Sequence, residues 1–195
     1  PQICHFCGCN TTLFREESDV ERYISALLTE IDMISTHLDK RRVVTQIHWG
    51  GGTPNSISFK WIKKVMDYFF KHFKVDTNAE IAMECNPAYM ELTDLIELAN
   101  MGFNRLSLGV QDFDKGLLKK LNRIPSKYPL KDLFRTARKT GINSMNLDLM
   151  YGLPDQTLNQ HLESVQKAID LEADRIVTFS YAHVPWFKSN QKKLE

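Results

Sequence analysis

Three cysteines, Cys4, Cys7 and Cys9 of "ICHFCGCNTT", stand within six residues near the start of the chain, and the only other one is Cys85. Two residues between the first pair and one between the second make a tight turn from which thiolates can face a single centre. Zinc needs four ligands and usually takes a second pair downstream, and this chain has no such pair. An iron-sulfur cluster is also held by thiolates, and a cubane on three protein ligands leaves one iron open to a substrate or cofactor. Spacing leaves zinc and iron both open, beside the metal-free reading of three packed thiols. His5, next to Cys4, points elsewhere if Cys4 and Cys7 share a metal.

A second group of residues could meet a ligand. In "HWGGGTP", Gly50, Gly51 and Gly52 let a backbone approach a bound molecule, since no side chain stands in the way. Glu84 and Asp148 are ionisable residues inside apolar segments, readable as ligand-binding carboxylates or as hydrogen-bonded structural ones. Gln111 and Arg123 read in isolation as ordinary surface polar residues. "YGLP" reads as a turn before a helix, and Phe6 as packing or as a platform for a flat ligand.

The elements that must position these groups alternate. Val20, Ile24, Leu27, Leu28, Ile31, Ile34 and Leu38 recur at helical spacing. The segment "VVTQIHW" then reads as a strand stopped by the glycines. The rhythm continues with a helix near 59–73, strand "EIAMEC", a helix near 93–101, strand "RLSLGV", and helices near 117–121 and 131–140. Strand "NLDLM", a helix near 158–171 and strand "RIVTFSY" complete it. Gly102 and Gly141 fall where a left-handed residue ends a helix. Helical crossovers between strands mean a parallel sheet. An open doubly wound sheet and a barrel both fit this periodicity. The groups unsuited to a dry core, Gly50 to Thr53, Glu84, Gln111, Asp148, Ala182 and His183, stand at the C-terminal ends of successive strands. That is the edge where parallel α/β folds build their sites.

With 43% apolar and 25% charged residues, the 195-residue chain reads as one ordinary domain able to bury a core. A formal charge of +1 implies neither nucleic acid nor an acidic membrane surface as a partner. There is no signal region or spanning apolar run, so the chain reads as cytoplasmic with reduced thiols. It begins at Pro1 rather than Met, which points to a segment upstream.

Taken in order, "CHFCGCN", "HWGGGTP", "GFNRLSLGVQDF", "NLDLMYGLPDQT" and "YAHVP" resemble the oxygen-independent coproporphyrinogen III oxidases of the radical S-adenosylmethionine (SAM) superfamily. The resemblance covers essentially the whole chain. It implies a partial (β/α)6 radical SAM barrel whose first strand lies upstream, with residues 1–195 forming the core domain and a C-terminal domain following. It also implies a 4Fe-4S cluster on a Cys-x3-Cys-x2-Cys motif. Cys4 and Cys7 match its second and third members, the first falls one residue before Pro1, and Cys9 belongs to the pattern without being a ligand. Gly51 and Glu84 match contacts to the cluster-bound SAM. Phe6, Gly52, Thr53, Gln111, Arg123, Asp148 and Ala182 match contacts to a second SAM, with Arg123 and Asp148 remote from the first.

The activity so implied is oxidative decarboxylation of two propionate side chains of coproporphyrinogen III to vinyl groups, giving protoporphyrinogen IX in haem biosynthesis. The cofactors carry the chemistry, and no side chain is assigned a catalytic role. The expected partners are the porphyrinogen and an electron donor, the expected state is a monomer, and the 195-residue piece is expected to be inactive alone. Two alternatives stand beside this reading. One is a haem-handling relative, against which Cys9 argues. The other is a non-catalytic zinc-binding α/β module.

Overall fold

The computed structural model describes residues 3–9 and 11–194. Helix α1 (Glu17–His37) precedes strand β1 (Val44–Trp49), and α2 (Phe59–His72) leads to β2 (Val75–Cys85). Then come α3 (Asp94–Asn100), β3 (Arg105–Gln111), α4 (Lys115–Lys120), α5 (Leu130–Thr140), β4 (Ser144–Tyr151), α6 (Leu158–Asp170) and β5 (Arg175–Ser180). Short 3-10 turns sit at Pro54–Ser56, Pro87–Tyr89 and Ser189–Leu194. No described helix is long and apolar enough to cross a membrane.

The five strands pair in parallel in the order β1-β2-β3-β4-β5, which decides between the two architectures left open by periodicity. Each crossover steps the same way across the sheet, and right-handed crossovers then put every connecting helix on one face. A doubly wound sheet would reverse direction and cover both faces. The packing agrees. Ile81, Met83 and Cys85, with Leu106, Leu108 and Val110 and with Met145, Leu147 and Leu149, share one buried cluster with Ile62, Leu95, Leu133 and Ala168 from four helices. The intervening residues, among them Glu84, Ser107, Gly109 and Asp148, point to the face without helices, since side chains alternate along a strand. The sheet curls into a half-barrel of five parallel strands, as expected for the partial barrel without its first strand.

Two elements differ from their apolar pattern. Ile34 and Leu38 are exposed although they continue the stripe of Val20, Ile24 and Ile31. Helix α1 lies along α2, with Glu17 beside Lys60 and Trp61 and Asp32 beside Tyr68 and His72. The shorter α2 ends at His72, so the last turn of α1 has nothing to pack on. Strand β2 starts at Val75, upstream of "EIAMEC", because Val75 pairs with Val44 before a register shift, and the ladder resumes at Glu80 opposite Gln46, an irregularity that leaves no trace in hydrophobic period. Gly102 and Gly141 have φ of +93° and +97°, the left-handed conformation expected of them.

Candidate active site

The glycine loop and Glu84 form one unit. Leaving β1, Gly51 and Gly52 turn at φ of +78° and +56°, values that L side chains rarely adopt. The Gly51 N–H donates to Glu84 Oε2 at 3.1 Å, and His48 Nε2 lies 3.1 Å from Glu84 Oε1. Gly50 is constrained by crowding, for a Cβ there would sit 2.9 Å from both Glu84 Oε1 and His48 Nε2. Glu84 is held from two sides while remaining half-exposed, so it can still accept a donor from a ligand.

The cysteine loop lies at the same sheet edge. Cys4 is buried, Cys7 half-buried and Cys9 exposed. The Cys7 N–H donates to Cys4 O at 3.1 Å, which closes the turn. The loop leans on the end of α4, where His5 N–H donates to Leu121 O at 2.9 Å and His5 Nδ1 meets Lys120 O at 3.1 Å. His5 is thus turned to main chain. Burial pushes the Cys4 thiol up, the Arg123 guanidinium opposes this, and Cys7 adds to it. Burial also raises Cys9, with Cys7 and then Glu84 contributing and Lys188 opposing.

Arg123 is the main departure from the expected layout. Its Nη1 is 3.8 Å from Cys4 Sγ, and its Nη2 donates to Gly109 O. Rather than lying apart, it bridges the cysteine loop and β3. Beside it, the ladder slips between Gly109 and Gln111, and Gln111 carries a φ of +72°. Sparsely populated backbone conformations of this kind cluster at ligand-binding positions. Asp148 pairs in register with Gly109, and both its oxygens lie 2.9 Å from Ser107 Oγ. Burial holds the Asp148 carboxyl above its ordinary range, a Ser107 hydrogen bond opposes this, and Glu84 adds to the rise. Asn146, on the same face, is buried, and among the described residues its Oδ1 meets no donor.

The remaining expected residues are Phe6, Thr53 and Ala182. Phe6 packs against a small cluster of Leu117, Leu121, Met150 and Leu153. Thr53 O accepts from Ser56 N–H, and Ala182 O from Gln191 Nε2. The turn "YGLPDQT" also braces the structure, since Gln156 Nε2 donates to buried Asp112 Oδ2 at 2.7 Å. Nothing in residue type or period singles out His48, Asn190 or Gln191, which hold the site from outside. Their signal is three-dimensional.

Among the described residues, no three metal-ligating side chains converge. Cys4 and Cys7 nevertheless fit two thiolate positions of an iron-sulfur cluster, because soft donors suit iron and Arg123 offsets thiolate charge. The glycine loop, Glu84, Asp148 and the orphan Asn146 acceptor fit a polar ligand bearing ammonium and hydroxyl donors.

A family model described as the Radical SAM superfamily matches residues 1–168. The chain is 38% identical over 193 residues to the oxygen-independent coproporphyrinogen III oxidase of Synechocystis sp., covering 99% of this chain and 41% of that protein. It is 38% identical over 194 residues to the oxidase of Escherichia coli, covering 100% and 42%. The solved structure of the Escherichia coli coproporphyrinogen III oxidase, described as a radical SAM enzyme, superposes with a TM-score of 0.93 over 100% of this chain and 44% of that one. A radical SAM methyltransferase from Kitasatospora setae, at 15% identity and a TM-score of 0.58, shares the fold alone. The chain spans about two fifths of the length of the oxidases it matches.

Proposed function

The chain belongs to the radical SAM superfamily, and from that membership we propose that residues 1–195 are the core domain of an oxygen-independent coproporphyrinogen III oxidase. Membership implies a 4Fe-4S cluster and SAM. The reading is carried by one sheet edge on which the cysteine loop meets the end of β3 through Arg123, which reaches both Cys4 Sγ and Gly109 O, while Glu84 at the end of β2 holds the glycine loop. The oxidase specificity draws support from the 38% identity that runs along the entire chain.

When bound, the cluster and SAM supply a 5′-deoxyadenosyl radical that removes hydrogen from a propionate, which then loses carbon dioxide and one electron to become vinyl. The chain's own residues bind and orient. Cys4 and Cys7 give two thiolates, and Arg123 offsets their charge. Glu84, steadied by His48 and the Gly51 N–H, accepts from the SAM ribose or ammonium. Gly51 and Gly52 allow close backbone approach. Phe6, Gly52, Thr53, Gln111, Arg123, Asp148 and Ala182 surround a second SAM. The protein works as a cytoplasmic monomer with coproporphyrinogen III and a one-electron donor.

The test is an anaerobic assay of the full-length protein with coproporphyrinogen III, SAM and a one-electron reductant. Protoporphyrinogen IX with two carbon dioxide released per substrate is expected. Haem binding without turnover would favour the haem-handling relative. Stoichiometric zinc without sulfide would favour the zinc module.

A further inference from the structure

Four consecutive carbonyls of the cysteine loop lie within hydrogen-bond reach of two adjacent side-chain amides, and the two N–H groups of Asn190 are shared among three of them. Asn190 Nδ2 lies 3.0 Å from Cys4 O, 3.0 Å from His5 O and 3.1 Å from Cys7 O. Gln191 Nε2 donates to Phe6 O at 2.9 Å. Gln191 is wholly buried. Its Nε2 also donates to Ala182 O at 3.0 Å, and its Oε1 accepts from Val184 N–H at 2.6 Å. One side chain therefore joins the cysteine loop, the segment after β5 and the 3-10 turn at Ser189–Leu194.

The geometry has a direct consequence for the thiols. A trans peptide carries its N–H opposite its C=O, so fixing the carbonyls of residues 4–7 fixes the planes of the peptides that carry Cys4 and Cys7. Among the described residues the other ties of the loop are the Cys7 N–H to Cys4 O turn, the bonds from His5 N–H to Leu121 O and between His5 Nδ1 and Lys120 O, Asn122 Nδ2 to Ile3 O at 3.0 Å, Arg123 Nη1 to Cys4 Sγ and Lys188 Nζ to Cys9 O. None of these restrains the carbonyls of His5, Phe6 or Cys7. Without the amides of Asn190 and Gln191, those three acceptors would seek other donors and turn the loop.

We infer that Asn190 and Gln191 are positioning residues for the metal-binding thiols, setting the loop shape in which Cys4 and Cys7 can hold a common centre. The inference rests on the reading of Cys4 and Cys7 as ligands. It predicts that the clasp controls retention of the metal more than stability of the fold, since the large apolar cluster lies on the opposite side of the sheet.

The test uses the full-length protein, anaerobically reconstituted, with Asn190→Asp and Asn190→Ala. Asn190→Asp keeps the shape but turns an acceptor toward three carbonyls. Asn190→Ala removes the donor without repulsion and serves if the first fails to fold. Iron and sulfide per chain, the rate of iron release to a chelator and the melting temperature are measured. Release faster by about tenfold in Asn190→Ala, more in Asn190→Asp, with an unchanged melting temperature, is expected. Unchanged release in both, or a fall in melting temperature that accounts for the faster release, overturns the inference.

A separate arm follows amide hydrogen exchange in metal-free protein, where Asn190→Ala should lose protection at residues 3–9 alone. If wild type binds no iron and sulfide, the cluster reading fails, and this arm still judges the clasp, which unchanged protection overturns.

Discussion

His48 and Glu84 face each other across adjacent strands, Nε2 3.1 Å from Oε1, while the Gly51 N–H holds the other carboxylate oxygen. The carboxylate is aimed before any ligand arrives. Glu84→Ala should weaken SAM binding by roughly tenfold to a hundredfold, the loss of a hydrogen bond to a charged group. The melting temperature should hold, because a half-exposed side chain leaves no core cavity. His48→Ala should weaken binding less, and His48→Gln less again. Equilibrium SAM binding decides, and unaltered affinity in Glu84→Ala would return that residue to a structural role.

At Gly50 an added side chain is expected to act by displacing the ends of two neighbouring side chains rather than through its backbone angle. Gly50→Ala drives a methyl against Glu84 Oε1 and His48 Nε2, so SAM affinity should fall as it does in Glu84→Ala, with iron content normal. Gly141→Ala provides the contrast. At φ of +97° it meets open space, and the left-handed backbone should cost about 1–2 kcal/mol. Its melting temperature should drop with SAM binding intact.

Cys4→Ser and Cys7→Ser should each abolish cluster assembly, whereas Cys9→Ser should keep its iron, since a hydroxyl is a poor substitute for a ligating thiolate. Arg123→Ala belongs with this set. Its contacts to Cys4 Sγ and Gly109 O predict faster iron loss as well as weaker SAM binding. Iron analysis and SAM titration on the same preparations separate the two effects.

Asp148 gives a pH signature. Burial, with Glu84 adding to it, holds its carboxyl above the ordinary value of 3.8. The folded chain then binds more protons than the unfolded one, and stability falls as pH rises from 3.8 through the folded value. Asp148→Asn should therefore raise the melting temperature at pH 7, with the gain shrinking as pH falls toward the unfolded value. The same variant should bind close to one SAM where wild type binds two, at normal iron content. Parallel melts across pH and a SAM titration check both halves, and a gain independent of pH would sink the linkage.

Much of the fold is legible because its signals are local. Strands β3 and β4, helices α2 and α5, and the left-handed Gly102 and Gly141 follow from period and backbone freedom. The direction of the sheet is not legible, since the order of parallel strands depends on which way each crossover steps. Ile34 and Leu38 mislead because a helix records its own stripe and not the length of its neighbour. At the site, Glu84 and Asp148 stand out as charges in apolar runs. Arg123 gives no sign of its place beside the cysteine loop, because a separation of 119 residues says nothing about a 3.8 Å contact with Cys4. His48, Asn190 and Gln191 are silent for the same reason.

The strand order has a consequence in time. Every ladder joins strands consecutive in sequence, so the sheet can grow as the chain leaves the ribosome, each crossover adding its strand to the last. The cysteine loop is the exception. It is synthesised before β1 to β5, yet Arg123 reaches it across 119 residues and Asn190 across 183 to 186. An early segment thus takes its restraints from residues made much later, and until Asn190 has emerged a nascent chain carries its thiols unclasped.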